Sequence, residues 1–231
     1  MKSRGVSCGS RWTLVTGLAL WLVAGPAAAA DPLVNVDWVK ANLDKPGIVY
    51  GDFAPPADFL RGHIPGAVNS NYAKDGWREE RSDKVPDMLP AKLDALGETI
   101  GKLGIDNGTH VVLVPAGMSS TDMGVGTRGY WTFKVLGHDN VSILDGGMAA
   151  WTKDKKNPMQ TGAPKIEPKT FKIAVRKDMI VTMDDVRKAK AAGVLLVDNR
   201  PEDQYAGINR HPKATESGTI EGAKNLPNGW L

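Results

Sequence analysis

The sequence predicts an α/β protein in which helices cover both faces of a parallel sheet. Three apolar runs, at residues 48–50, 111–114 and 141–144, show no alternation of apolar and polar positions, which is typical of strands buried on both faces. Segments with apolar residues at three- and four-residue spacing separate these runs and predict helices. Strands that alternate with helices along the chain indicate a parallel sheet.

The predicted elements follow one another in a regular order. A short amphipathic helix over residues 34–43 precedes the first strand, and a longer helix over 90–103 precedes the second. A helix over 130–136 separates the second strand from the third. Further along, a helix over 183–192 and a strand over 194–197 repeat the opening helix and strand.

The amino terminus is typical of a secretory signal peptide. Lys2, Arg4 and Arg11 form a positive region, an apolar run covers residues 12–23, and a run of four alanines ends at Ala30. We therefore expect cleavage after the first 30 residues and a periplasmic or secreted protein with no membrane attachment. A membrane anchor is the competing interpretation, and the apolar run is short for a membrane span.

The leader also accounts for the basic balance of the chain. It holds three of the 29 lysines and arginines and none of the 26 acidic residues, so the remainder has 26 of each. This composition gives no support for a nucleic-acid partner. The single cysteine, Cys8, lies in the leader, so the exported chain is expected to have no thiol, no disulfide and no soft metal ligand. We expect no cofactor and no metal, and no protein partner can be predicted.

Two stretches with the pattern G-x-I-x-G-A-x-N indicate an internal repeat. They cover residues 62–69 and 218–225, and their first glycines are 156 positions apart. A period of this length indicates a duplicated domain and excludes a solenoid, whose repeats are much shorter.

The repeat divides the chain into four predicted parts. After the signal peptide at 1–30, a first domain covers 33–152, and a segment with three prolines and seven lysines predicts a linker at 153–179. A partial second copy covers 180–231. It holds one helix, one strand and a long loop, which is too little to bury a core, so we expect a truncated chain.

One glycine motif offers a different interpretation. Residues 124–129 read G-x-G-x-x-G, and Asp145 ends the following strand 21 positions after Gly124, which is the spacing of a dinucleotide-binding fingerprint. However, residues 115–123 separate the glycines from the preceding strand, and the helix left after the motif has only about two turns. The sequence therefore disfavours this interpretation.

Three stretches together resemble the rhodanese family, specifically its tandem-domain thiosulfate and mercaptopyruvate sulfurtransferases. They cover residues 61–69, 136–151 and 218–225, and the resemblance extends over 33–231. It implies an α/β rhodanese-like fold of two similar domains. It also implies that the first domain is inactive and that the second carries a nucleophilic cysteine.

The chemistry of this family requires a thiolate, because sulfane sulfur is transferred through a persulfide. The family places the cysteine in a loop after a central strand, where backbone N–H groups favour negative charge. In the first domain this loop follows Val114 and contains no thiol; a serine alkoxide forms no persulfide. Its residues are Pro115, Ala116, Gly117, Met118, Ser119 and Ser120. The corresponding loop of the second domain is expected beyond Leu231.

Two positions in the second copy are candidates for binding a small sulfur-containing anion. By resemblance, the family's substrate-binding arginine falls at Gln204 and a second basic position falls near Lys213. A glutamine there weakens the case for mercaptopyruvate, whose carboxylate suits a bidentate guanidinium. Arg200 is expected to pair locally with Asp198 or Glu202 in a structural role.

Two further residues in the first domain are predicted to be structural. His63 is expected to order the loop after the first strand rather than to act as a base or ligand. Arg128 lies on the helix after the loop without a thiol, and it is expected to support a domain interface rather than to contact an anion.

Two functions remain open. One is an exported rhodanese-type sulfurtransferase that moves sulfur from thiosulfate or a related donor to a thiophile such as cyanide, with its cysteine absent from this truncated chain. The other is a non-catalytic rhodanese-like module that binds a partner or a small anion. The DNA downstream of the Leu231 codon distinguishes them, since only the first requires a further strand and a cysteine-containing loop.

Overall fold

The computed structural model describes residues 29–80 and 89–230. Residues 1–28, which include Cys8 and most of the predicted leader, lie outside the described part. Among the described helices, none is long and apolar enough to cross a membrane.

A five-stranded parallel sheet forms the centre of the first domain. Its strands are β1 (Leu33–Val34), β2 (Ile48–Asp52), β3 (Val68–Asn69), β4 (His110–Val114) and β5 (Val141–Leu144). The order across the sheet is β1-β5-β4-β2-β3. In the central pair, β2 and β4 run in register from Ile48 and His110 to Asp52 and Val114.

Helices cover both faces of this sheet. They are α1 (Val36–Lys40), α2 (Pro56–Arg61), α3 (Leu93–Lys102), α4 (Ser120–Val135) and α5 (Gly147–Lys153). On β4, Val111 and Leu113 pack with side chains of α3 and α4. Val112 and Val114 point the other way and pack with α1, α2 and α5. The predicted α/β class, a parallel sheet with helices on both faces and central strands buried on both sides, is confirmed.

The first predicted helix is shorter than expected. Residues 34–43 were expected to be helical, but Leu33 and Val34 form β1 and pair with Ile143 and Leu144 of β5. The helix then begins after Asn35, whose side chain accepts a hydrogen bond from the backbone N–H of Trp38 at 2.8 Å. Pairing with a distant strand therefore sets the start of α1, and helical periodicity carries no information on that pairing.

The segment from Asn157 to Arg176, which the sequence predicts as part of a linker, is packed along the first domain. We call it the strap. Its Lys169 N–H donates to the Gly101 carbonyl at 2.9 Å, and its Ala174 N–H donates to the Leu136 carbonyl at 2.9 Å. Phe171 enters the core and is 7% exposed. The prolines and lysines misled the prediction because backbone hydrogen bonds, Phe171 and Arg176 hold the strap, while its lysines are exposed.

A second, smaller group of elements follows the strap. It contains α6 (Met183–Ala191), β6 (Val197–Asp198), α7 (Glu202–Tyr205) and β7 (Lys224–Asn225). β6 and β7 form a two-stranded parallel sheet. The strand predicted over 194–197 is mostly absent, and Val194 and Leu195 are 56% and 64% exposed. In the described residues β6 pairs only with β7, so little tertiary structure supports a longer strand.

Candidate functional site

The carboxyl end of the central strand β4 leads into the loop 115–119 and then into α4. In a parallel sheet flanked by helices, ligands bind at this edge, outside the carboxyl ends of the strands. Pro115 is buried, whereas Met118 at the tip of the loop is 80% exposed. This position, together with the predicted chemistry, makes the loop the first candidate for a site.

The first turn of α5 holds the loop from one side. The N–H of Met148 donates to the Pro115 carbonyl at 2.8 Å, and that of Ala149 donates to the Ala116 carbonyl at 3.0 Å. Gly117 has a φ of +76°, and a Cβ there would lie 2.1 Å from the Gly146 carbonyl oxygen. Glycine is therefore required at 117 for both its conformation and its close approach.

The carboxylate of Asp122 lies in the first turn of α4. Asp122 accepts a hydrogen bond from the Met118 N–H at 3.2 Å, and its own N–H donates to the Ser119 hydroxyl at 3.2 Å. Ser119 is thus the N-cap of α4. A carboxylate in the first turn satisfies the positive end of the helix dipole and repels a second anion.

The loop offers no nucleophile for sulfur transfer. Its six predicted site residues, Pro115, Ala116, Gly117, Met118, Ser119 and Ser120, include no thiol. The Ser119 hydroxyl is already used as a cap. The only cysteine of the chain, Cys8, lies outside the described residues. The loop therefore has the position of a catalytic loop without the group that forms a persulfide.

The glycines of the G-x-G-x-x-G motif lie inside α4 and form no phosphate-binding turn. Cβ atoms at Gly126 and Gly129 would lie 3.1 Å from the Pro115 side chain and 2.5 Å from the Phe53 ring. They let the helix pack closely on the sheet. The helix has 16 residues, whereas the sequence predicts only 130–136, because tertiary packing overrides the weak helix propensity of glycine.

Arg128 lies in the middle of α4. Its guanidinium is placed over the Trp131 ring, 4.6 Å from the centroid, and its carbonyl accepts a hydrogen bond from the Thr132 hydroxyl at 2.9 Å. The guanidinium thus contacts an aromatic ring on the same helix. The expected support of a domain interface remains a prediction.

His63 is fully buried in the loop before β3. Its Nδ1 lies 2.8 Å from the Phe59 carbonyl oxygen, and its ring stacks on the Phe59 ring at 3.8 Å. Its backbone N–H donates to the Gln160 carbonyl at 2.9 Å, which ties the loop to the strap. Within the described residues its Nε2 has no hydrogen-bond partner. These contacts connect His63 to α2 and to the strap, and its expected role in ordering this loop remains a prediction.

Asp52, which sequence reasoning did not single out, lies buried at the end of β2. Burial raises the pKa of this carboxyl above its ordinary value of 3.8, and the Ala54 N–H and nearby His63 only partly oppose that rise. Oδ1 accepts the hydrogen bond from the Ala54 N–H at 2.7 Å. A polar residue that ends a buried apolar strand is the sequence signal that could have found it.

In the second group of elements, Arg200 pairs with Asp198, one of the two local partners expected from the sequence. Arg200 Nε lies 3.0 Å from Asp198 Oδ1, and Arg200 Nη2 donates to the Gly218 carbonyl at 2.7 Å. The Thr219 hydroxyl donates to Asp198 Oδ2 at 2.7 Å. The hydrogen bond from Arg200 holds the pKa of the Asp198 carboxyl well below its usual range.

The two predicted substrate-binding residues do not meet at a cavity. An open pocket of about 500 Å³ lies beside β6 and is lined by Asp198, Arg200 and Thr219, but neither Gln204 nor Lys213 lines it. Lys213 Nζ instead pairs with the Glu80 carboxylate of the first domain. Their role in binding an anion therefore remains a prediction, and Lys213 already has an acidic partner.

No group of His, Cys, Asp or Glu suited to hold a metal ion occurs in the described part of the chain. Asp122 is another residue of the candidate site that sequence reasoning missed. The signal was available, because Ser119-x-x-Asp122 is a helix-capping pattern at the start of α4.

Comparison with known proteins points to one family. Residues 35–154 match the family model of the rhodanese-like domain. The chain is 32% identical over 212 residues to thiosulfate sulfurtransferase of Bos taurus, covering 84% of this chain and 68% of that protein. It is 31% identical to the sulfur carrier protein TtuD of Thermus thermophilus, covering 87% and 70%.

Other relatives extend the similarity to mercaptopyruvate enzymes. The chain is 29% identical to human 3-mercaptopyruvate sulfurtransferase. That match covers 74% of this chain and 56% of the human protein. The crystal structure of SseA from Escherichia coli, a 3-mercaptopyruvate sulfotransferase with a rhodanese fold, superposes with a TM-score of 0.69 at 27% identity. That match covers 86% of this chain and 75% of SseA.

Proposed function

The chain belongs to the rhodanese family, and on that premise we propose that it supplies the non-catalytic first domain of an exported sulfurtransferase. The reaction moves sulfane sulfur from thiosulfate or a related donor to a thiophile such as cyanide. The observation that carries the proposal is the loop 115–119, which has the expected position after β4 but holds no thiol.

The sulfur-transfer step requires a cysteine that this domain does not provide. A thiolate attacks the sulfane sulfur of thiosulfate, an S–S bond forms as sulfite leaves, and a persulfide results. Cyanide then attacks the outer sulfur, and thiocyanate leaves as the thiolate is restored. In the first domain, Asp122 holds a negative charge where this loop would receive an anion, which supports a structural role.

We further propose that residues 180–231 begin a second rhodanese-like copy, separate from the first domain at 33–152. Shared hydrogen bonds support this. Asn69 Nδ2 donates to the carbonyls of Asp52 and Ala54 at 3.0 and 2.9 Å. Asn225 Nδ2 donates to the carbonyls of Asp198 and Arg200 at 2.8 and 2.9 Å. Gln204 and Lys213 of this copy remain the proposed contacts to a sulfur-containing anion.

A sulfurtransferase assay tests the proposal. The purified chain is incubated with thiosulfate and cyanide, thiocyanate is measured, and intact mass is examined for one added sulfur atom. We expect no turnover and no added sulfur. The Cys8→Ser variant is the matched control, since it removes the only thiol and should behave identically. Thiocyanate production that persists in Cys8→Ser would contradict the proposal.

The alternative function is a non-catalytic module that binds a partner or a small anion. The absence of cysteine from residues 31–231 favours it for this chain taken alone. The DNA downstream of the Leu231 codon separates the two functions. A strand followed by a cysteine-containing loop, in any frame, supports the enzyme, and its absence supports the module.

Export is part of the proposal, with a periplasmic or secreted location. The positive region, the apolar run and the alanines up to Ala30 support it. The fold starts directly afterwards, because the Asp31 carbonyl accepts a hydrogen bond from the Ser142 hydroxyl at 2.6 Å. Amino-terminal sequencing of the protein from the culture medium or periplasm should begin at or near Asp31. An intact Met1 there would rule out cleavage.

A further inference from the structure

Helix α3 carries two glycines, Gly97 and Gly101, that are buried beneath the strap. Glycine lowers the intrinsic stability of a helix interior relative to alanine. A helix that keeps two glycines one turn apart on its buried face must therefore gain something from the missing Cβ atoms. The neighbours of these glycines indicate what is gained.

The strap backbone passes directly over α3. A Cβ at Gly101 would lie 2.4 Å from the Lys169 carbonyl oxygen, a distance that Cβ atoms essentially never show. A Cβ at Gly97 would lie 2.9 Å from Ile173 Cδ1, which is the far end of a flexible side chain. The glycines thus form a seat for the strap, and Gly101 is the position where backbone meets backbone.

The far end of the strap is fastened to the end of α4. The Arg176 N–H donates to the Val135 carbonyl at 2.8 Å, and the Arg176 guanidinium pairs with the Asp139 carboxylate in a two-point contact. Lys134 binds the same carboxylate. Arg176 lies directly before the short helical turn Lys177–Met179, which leads to α6.

Between its two ends the strap completes the core. Phe171 lies among the buried side chains of the sheet face covered by α3 and α4. Its ring centroid is 6.1 Å from that of Phe133 and 5.5 Å from that of His138, with interplanar angles of 82° and 60°. Without the strap, the buried side chains that contact Phe171 would lose this cover.

We propose that the strap is the closing element of the first domain. It seats on the glycines of α3, places Phe171 in the core and fastens at Arg176, so the folding unit extends past residue 154, where the match to the family model ends. Because the chain leaves the domain from this fastened end, the strap also determines where the second group of elements starts.

Alanine substitutions in the full chain test the proposal by the sign of their effect. Gly101→Ala should lower the thermal midpoint by at least about 3 °C, because the new Cβ forces the strap backbone away. Gly124→Ala is the matched control, since that glycine lies in α4 with nothing within 4 Å of its Cβ position. It should raise the midpoint by about 1–3 °C. A gain in Gly101→Ala equal to that in Gly124→Ala overturns the proposal.

Hydrogen exchange on the unmodified chain gives an independent reading. The amides of Lys169, Ala174 and Arg176 should be protected, since each donates to a carbonyl of the first domain. Exchange at the rate of a free chain at all three overturns the proposal. If Gly101→Ala does not fold, Gly97→Ala replaces it. Its thermal midpoint should fall by less than the roughly 3 °C expected for Gly101→Ala, because the Ile173 side chain can move. A rise in the thermal midpoint of Gly97→Ala as large as that of Gly124→Ala would again contradict the proposal that these glycines make room for the strap.

Discussion

Asp52 and Asp198 end equivalent strands in two regions of the molecule, and their surroundings differ. In both regions an asparagine of the next strand donates two hydrogen bonds across the strand end. In both, the carboxylate accepts the backbone N–H two residues on, at 2.7 Å from Ala54 and at 3.0 Å from Arg200. We call this arrangement of a carboxylate and a bridging asparagine at the strand end the local frame, and it is the same in both regions.

The two regions differ in what surrounds this frame. The first strand, β2, has a partner on each side, β3 and β4, whereas β6 pairs only with β7 in the described residues. Asp52 is buried next to Ala54, and Asp198 is paired with Arg200 and Thr219. In the repeated motif, His63 of residues 62–69 occupies the place that Thr219 occupies in residues 218–225.

This comparison separates local from tertiary causes of structure. The strand, the turn and the asparagine bridge form in both regions, so a short motif is sufficient for them. Burial depends on neighbouring strands and helices, which only the first region has in full. We therefore expect equivalent substitutions to have unequal effects in the two regions.

The largest difference is expected for the aromatic residue of the helix after the strand. Phe59 is 2% exposed and stacks on His63, so Phe59→Ala should lower the free energy of unfolding by about 3–5 kcal/mol. Tyr205 is half-buried and donates one hydrogen bond to the Ala223 carbonyl at 2.9 Å. Tyr205→Ala should lower the free energy of unfolding by about 1 kcal/mol or less.

Chemical denaturation followed by tryptophan fluorescence measures both variants, since Trp77 and Trp151 are buried in the first domain. Equal losses for the two substitutions would mean that the second region is as well packed as the first. That result would remove the distinction between the two regions.

A smaller difference is expected for the bridging asparagines. Asn69→Ala leaves the carbonyls of Asp52 and Ala54 without this donor inside a packed sheet and should cost about 1–3 kcal/mol. Asn225→Ala breaks the same two bonds where water can replace them, and we expect a loss of about 1 kcal/mol or less. The same denaturation experiment measures both, and a larger loss for Asn225→Ala would contradict the assignment of burial.

Much of the first domain could be predicted because its central strands are continuous apolar runs. β2, β4 and β5 were expected close to their actual positions, as was α3. The position of the loop without a thiol followed from β4 and from the resemblance. These features depend on local pattern, which the sequence displays directly.

The remaining features depend on contacts between distant residues. The strap was predicted as a linker because its lysines reflect solvent exposure, whereas backbone hydrogen bonds, Phe171 and the Arg176–Asp139 pair attach it to the first domain. The first half of α4 was missed because its glycines have low helix propensity and are retained for close packing. Gly97 and Gly101 were the available signal for the strap, since interior helix glycines on a buried face indicate a close neighbour.

Titration of the two equivalent carboxyls in one sample tests the comparison most directly. Burial raises the pKa of Asp52. The protonated Asp52 carboxyl therefore contributes to stability below pH 3.8, and this contribution is lost as pH rises through the folded-state pKa. The hydrogen bond from Arg200 lowers the pKa of Asp198. The ionised Asp198 carboxylate therefore contributes to stability above pH 3.8, and this contribution is lost as pH falls through the folded-state pKa. Carboxyl carbon shifts followed by NMR should give a midpoint above 3.8 for Asp52 and below 3.8 for Asp198. Coincident midpoints, or midpoints in the reverse order, would contradict the claim that one frame lies in two different environments.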